Sequence, residues 1–355
     1  MKTKSFLIKL TQWEHWPTLI YYIPLFPFFV IRSIKGGHLA HYLATNPGIF
    51  YSGSGSESKT KTLELVQEKY RPNGFFVSKQ DNNQTVLIKL KKSCLKYPII
   101  AKPDIGFRGY LVKKINNQEE LINYLNTINE DILIQEFIPY HNELGIFYYR
   151  IPGEDKGKIT SITIKKFISI IGDGKSVLSE LILNDERAFL YHKIFSNIHK
   201  DKMNTIIKKG EKIVLTEIGN HSKGTQFLNG NHLINNELDH FINDVCKQIN
   251  GWYYGRLDIK YKDYDSLLKA KDFKILEVNG IISEPTHIYD ASHKNASFTN
   301  ALKAINNHWE IMSDIAIKNH KKFGIEYPKV IPYYKNMLWL RSYTKKLKAL
   351  NKKDF

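Results

Sequence analysis

Gly255-Arg256-Leu257-Asp258-Ile259 and Ile275-Leu276-Glu277-Val278-Asn279-Gly280 are the two stretches whose reading decides the fold. Both are rich in branched apolar residues and read as strands. Alternate side chains of a strand share a face, so Arg256 and Asp258 project together, as do Glu277 and Asn279. If the strands are neighbours, two carboxylates and an amide oxygen converge beside a guanidinium. Such an all-oxygen set suits Mg2+ or Mn2+, since Mg2+ takes one or two carboxylates and completes its shell with phosphates and water. A buried ion-pair network is the plainer alternative.

Around this pair, short β-branched runs alternate with helical ones from Tyr97 onward, which predicts an α+β body. YPIIAKP (97–103), YLVKKI (110–115), DILIQEFI (131–138), LGIFYYRI (144–151), ITSITIKKF (159–167) and KIVLTEI (212–218) read as further strands. NQEELINYLNTI (117–128) reads as a helix. In residues 296–324, Phe298, Leu302, Ile305, Trp309, Met312 and Ile315 recur at spacings of three and four, one amphipathic helix whose stripe is core. KTKTLELVQEK (59–69) has helical spacing after the flexible Ser52-Gly53-Ser54-Gly55-Ser56 turn. The expected division is a 1–50 aromatic segment, a 51–95 unit, a 96–327 catalytic body and a 328–355 basic tail.

Three more segments carry chemistry. Ala101-Lys102-Pro103-Asp104-Ile105-Gly106-Phe107-Arg108-Gly109 places a lysine at a strand end before a glycine-containing loop. Glycine lets backbone N–H groups approach an anion and lysine adds charge, so phosphates fit here; a plain hairpin turn fits as well. Gln135-Glu136-Phe137-Ile138 is a strand end that can meet an adenine edge, and Glu143 just beyond can accept from ribose hydroxyls or be a solvated turn residue. Ser283-Glu284-Pro285-Thr286-His287 follows the Glu277 strand directly, which places Glu284 and His287 toward an acceptor; His287 either handles that acceptor or caps a helix.

The order K-P…G…G, Q-E-F, E, R-x-D, E-x-N from about Tyr97 to Asp290 resembles the ATP-grasp superfamily of carboxylate–amine and carboxylate–thiol ligases. The resemblance is closest to proteins labelled D-alanine–D-alanine ligase. It implies two α+β lobes clamping ATP, with Mg2+ or Mn2+, a small carboxylate and an amine. Residue by residue it implies Lys102 on the nucleotide phosphates, Gly106 to Gly109 as a mobile lid, Glu136, Phe137 and Ile138 as the adenine hinge, and Glu143 on the ribose. It further implies Asp258, Glu277 and Asn279 as metal ligands and Arg256 at the γ-phosphate, with Lys165 either a further phosphate contact or a solvated lysine. Gly172-Asp173-Gly174-Lys175-Ser176 is similar to a segment of cyanophycin synthetase and bifunctional glutathione synthetase relatives. Gly219-Asn220-His221-Ser222-Lys223-Gly224 is similar to their loop near the substrate, which implies Asn220, His221 and Ser222 in the acceptor pocket. Lys89 is the candidate for the first-domain lysine of D-alanine–D-alanine ligases.

The chain has 355 residues and a net charge of +17, yet 45 of its 52 basic residues are lysine. Nucleic-acid recognition favours arginine forks, so a nucleic-acid partner is not expected. Ten of the seventeen charges lie in residues 1–40 and 331–355. Cys94 and Cys246 have no paired spacing, which argues against a disulfide scaffold and for a reducing, cytoplasmic setting. Trp16 to Ile31 is uncharged and contains Pro17, Pro24 and Pro27. It is short for a spanning helix and lacks the cleavage site of a signal peptide. Bracketed by Lys2, Lys4, Lys9, Arg32 and Lys35, it either attaches peripherally to an anionic membrane or packs, broken by its prolines, on the protein's own core. The rival functions are an ATP-grasp phosphotransferase and a non-catalytic nucleotide-binding protein at a membrane surface.

Overall fold

The computed structural model describes residues 8–293 and 296–354, so Lys2 and Lys4 lie outside the described residues. Helix α1 runs Thr18–Gly36. Its prolines do not break it, because Pro17 precedes the first turn and Pro24 and Pro27 sit in the first turns of successive helical pieces, where a missing N–H is harmless. Tyr21 and Leu25 pack with Ile288, Ala301 and Ile305.

Helix α2 (Lys59–Glu64) is shorter than its sequence spacing predicts and ends before Val66. The next unit comprises β1 (Gly74–Val77), α3 (Asn83–Lys92), β2 (Ile99–Pro103), β3 (Lys113–Ile115), α4 (Gln118–Thr127) and β4 (Ile132–Glu136). Its strands form an antiparallel sheet in the order β1-β4-β2-β3. Ile99, Ala101, Ile115, Leu121, Ile132 and Ile134 close its core.

A second antiparallel sheet, ordered β11-β10-β5-β6-β9, contains β5 (Asn142–Tyr149), β6 (Lys158–Lys166), β9 (Gln226–Asn229), β10 (Tyr254–Tyr261) and β11 (Phe273–Asn279). One face buries Leu144, Ile146, Ile162, Leu257 and Ile259 against Leu238, Ile242 and Val245 of α5 (Asn236–Lys247). A small ribbon of β7 (Ser169–Ile171) and β8 (Lys212–Val214) carries three short helices between Leu178 and Ile198. The Gly172–Ser176 segment leads into them, with Asp173 accepting from the Lys175 and Ser176 backbone N–H groups.

Helix α6 (Phe298–Phe323) follows the predicted apolar stripe. The lysine-rich end forms a second long helix, α7 (Val330–Asp354). Leu340 and Leu347 are its buried residues, whereas Leu338 and Trp339 are half exposed. Leu347 belongs to the core of the β1–β4 sheet. The architecture is α+β.

Candidate active site

β10 and β11 are antiparallel neighbours with Arg256 opposite Asn279 and Asp258 opposite Glu277. The four side chains therefore open from adjacent strand positions into one cavity of about 1910 Å3, between the two large sheets. Asp258 accepts from Arg256 Nε at 2.8 Å and lies 3.1 Å from Lys165 Nζ. Glu277 pairs with Lys59 at 2.5 Å. Lys102, on β2, crosses the cleft and donates to the Leu276 carbonyl at 3.4 Å.

The electrostatics follow from this crowding. Burial works to raise the Asp258 and Glu277 carboxyls, but Arg256 and Lys165 on the former and Lys59 and Lys102 on the latter outweigh it and hold both below the usual carboxylate range. Burial, with Lys59 nearby, pushes the Lys102 ammonium down to about 8 despite the attraction of Glu277. A buried cation with too little compensation is stabilised by an entering anion.

Were a polyphosphate to sit against Lys102, its affinity would depend on pH. The folded pKa is depressed, so empty protein favours the neutral amine, while a polyphosphate favours the charged one. Below pH about 8 the amine is already protonated; above it, binding must recruit a proton. The Kd for Mg-ATP is expected to be flat near neutrality and to weaken about tenfold by pH about 9. Calorimetry at the two values checks this, and an unchanged Kd would remove Lys102 from the phosphate site.

Two residues first open to a solvated reading are buried. Glu143 is a β5 residue at 5% exposure, and Lys165 on β6 is at 6%. They meet at 2.7 Å. Lys165 is thus a bridge between Glu143 and Asp258, and Gly219 presses on Glu143 so closely that an added Cβ would lie 2.3 Å from its carboxylate oxygen.

At the other end of the cavity, Glu136, Phe137 and Ile138 line the wall with Gln135. Phe137 lies under Lys114 Nζ at 4.2 Å, and Lys260 donates to the Ile138 carbonyl. Glu136 binds the Asn73 N–H. The Gly106 and Gly109 loop lines the same space. Gly109 adopts φ +67°, which favours glycine, whereas Gly106 has room for a Cβ.

Asn220, His221, Ser222 and Glu284 also line the cavity. Ser222 Oγ donates to the Arg108 carbonyl at 2.9 Å, joining the two glycine loops. His221 pairs with Glu14 at 2.8 Å, and Glu14 pairs with Arg187 at 3.0 Å. Burial works to raise the Glu14 carboxyl, but the His221 hydrogen bond and Arg187 hold it at about 2. Glu284 accepts from the hydroxyls of Tyr22 and Tyr289.

His287 is a correction. It is absent from the cavity wall; burial, then the charge of His293, lowers it to about 4, and among the described residues its Nδ1 has no hydrogen-bond partner. It is neither a helix cap nor, in this arrangement, an acceptor group. Lys89 is another: it pairs with Asp81 at 2.5 Å, on the outer helix α3, and does not line the cavity.

The fit to a divalent cation rests on chemistry. Asp258, Glu277 and Asn279 offer hard oxygen donors from paired strand positions. Among the described residues no three His, Cys, Asp or Glu side chains form a complete protein cage.

Neither a protein-family model nor a curated protein matches the sequence. Among solved structures the chain is similar to D-alanine–D-alanine ligase from Bacillus anthracis, at 16% identity and TM-score 0.42, over 75% of this chain and 69% of that one. It is similar to the VanG D-Ala:D-Ser ligase of Enterococcus faecalis at 14% and 0.41, over 75% and 62%. It is similar to a bifunctional glutathione synthetase from Pasteurella multocida at 13% and 0.38, over 70% and 35%. The chain thus spans about a third of the synthetase and about two thirds of each ligase. In this chain two antiparallel sheets face one polar cavity, and Lys102 crosses from the smaller to the larger.

Proposed function

We propose that this protein is an ATP-dependent ligase that activates a carboxylate as an acyl-phosphate and joins it to an amine. The observation that carries the reading is the concentration of cations, buried Lys102 and Lys165 and half-buried Lys59 and Arg256, around the Asp258–Glu277 pair in a single cavity. A polyphosphate is the ligand that such a balance of charge accepts. Adenine lies along Glu136, Phe137 and Ile138, with Lys114 and Lys260 beside it. Glu143, fixed by Lys165, meets the ribose.

Lys102 and Arg256 neutralise the approach of a carboxylate to the terminal phosphate. Mg2+ or Mn2+ at Asp258, Glu277 and Asn279 supplies further charge neutralisation when bound. No side-chain nucleophile is needed. The acceptor end is the wall formed by Asn220, His221, Ser222 and Glu284, with Tyr22 and Tyr289 orienting the Glu284 carboxylate. The division into a 1–50 segment, a 51–95 unit, a 96–327 body and a 328–355 basic end belongs to the same reading. So does a cytoplasmic setting; attachment at the inner face of a membrane is a separate proposal, taken up below.

Mg-ATP at about a hundred times its Kd is expected to stabilise the protein by about 2.7 kcal/mol and to raise Tm by about 4 °C. Thermal unfolding with and without nucleotide checks it; an unmoved Tm at millimolar Mg-ATP overturns the reading. Phosphate release across a matrix of carboxylates and amines then identifies both substrates, and release that needs neither points to a different reaction.

A further inference from the structure

Helix α1 has two apolar faces with different fates. Tyr21, Leu25 and Ser33 recur at spacings of four and eight and are buried, with Tyr22 and Phe29 half-buried on the same side. Tyr22 stacks on Trp309 of α6, and Phe29 meets both Trp309 and Tyr42. The opposite face carries Leu19, Ile23, Phe26, Val30 and Ile34 at spacings of three and four, flanked by Ile20 and Ile31. Every one of these is exposed, Ile34 by 75% and Leu19 by 68%. A continuous exposed apolar stripe on a surface helix marks an interaction site.

The inner contacts decide how such a helix meets a bilayer. It is long and apolar enough to cross one by composition, but a spanning helix needs lipid or protein around its whole length, and here one face is committed to α6. Arg32, its side chain 13% exposed, is committed to Asn306 and anchors α1 on the protein. Lys35 pairs with Asp314 at the surface and stays 63% exposed, so of the two only Lys35 keeps the outward position expected from the sequence.

The start of α7 lies beside α1 through Tyr42, which touches Phe29 and Tyr333 at 5.7 and 6.3 Å. There α7 exposes Ile331, Tyr334 and Leu338. Farther along it exposes Arg341, Lys345 and Lys348.

We propose that the outer face of α1 docks on the headgroup layer of an anionic lipid bilayer, lying in the interface plane. Charge selects this occupant. A second copy would bring another +17 chain against the first, and self-association would work against that repulsion, whereas an anionic surface is complementary. Trp16, Thr18 and Tyr22 of the same segment line the acceptor end of the cavity, so docking holds that end at headgroup level. The proposal stands independently of the ligase reading.

The test is flotation of the full chain with vesicles of phosphatidylcholine and phosphatidylglycerol at about 3:1, and with phosphatidylcholine alone, near 0.1 and 0.5 M salt. Binding is expected to the anionic vesicles, weaker in high salt, and to fall about tenfold in an Ile23→Glu/Ile31→Glu variant that keeps the wild-type circular dichroism and the Mg-ATP shift in Tm. A wild-type chain that stays in the soluble fraction, or a folded variant that floats equally well, overturns the proposal. So does sedimentation showing a dimer that the variant dissolves. A wild-type chain that fails to bind vesicles yet keeps its nucleotide response removes the membrane surface and leaves the ligase reading in place.

Discussion

Glu277→Gln is expected to lower substrate-dependent ADP formation by about a thousandfold while the circular dichroism spectrum stays native. The carboxylate sits 2.5 Å from Lys59 and opposite Asp258 across the β10–β11 pair. Glutamine keeps the shape and can still accept from Lys59, so packing is retained. What disappears is the negative charge that, with Asp258, balances the cations of the site and offers a divalent ion its second carboxylate. Lys59 keeps Glu57 and Asp104 as nearby charges, which limits the loss of stability. Turnover within a few-fold of wild type would show that the pair is structural only; loss of the native spectrum would show the same by another route.

Lys165→Met is expected to destabilise the fold by about 3–5 kcal/mol, because removing one partner of a buried ion pair strands the others. Here two carboxylates are stranded at once, Glu143 at 2.7 Å and Asp258 at 3.1 Å. Arg256 still covers Asp258, so Glu143 bears most of the loss. Methionine fills comparable volume, which separates the electrostatic effect from a cavity. Urea denaturation measures it, and a change under about 1 kcal/mol would mean that Glu143 takes up a proton or finds water instead.

How much of this was legible depended on sequence distance. Arg256, Asp258, Glu277 and Asn279 sit on two strands close in the chain, and strand alternation alone aligns them. Lys165 was also legible in principle: Ser161, Thr163 and Lys165 alternate with Ile162 and Ile164, and the isoleucine face packs against α5. The polar face therefore looks into the cleft, which removes the solvated-lysine alternative for Lys165.

Lys59 could not be found this way. It begins a helix 218 residues before its partner Glu277, and only the closure of α2 over β11 joins them. Glu14 is likewise 173 residues from Arg187, and Tyr22 reaches Glu284 only because α1 packs on α6 and the Thr286–Tyr289 turn. The N-terminal run was read as a choice between lipid and core because periodicity reports apolar positions without saying which face a partner takes. The structure gives one face to the core and leaves the other open.

The last turns of α7 bear on how the cleft opens. The Asn351 side-chain oxygen accepts from the Leu111 backbone N–H at 3.0 Å and from Lys223 Nζ at 3.3 Å. One amide thus pins the loop after Gly109 and the loop after His221, the same two rims that Ser222 and Arg108 join farther in. The amide therefore ties the two rims to one helix: widening the gap between them breaks at least one of the two Asn351 contacts.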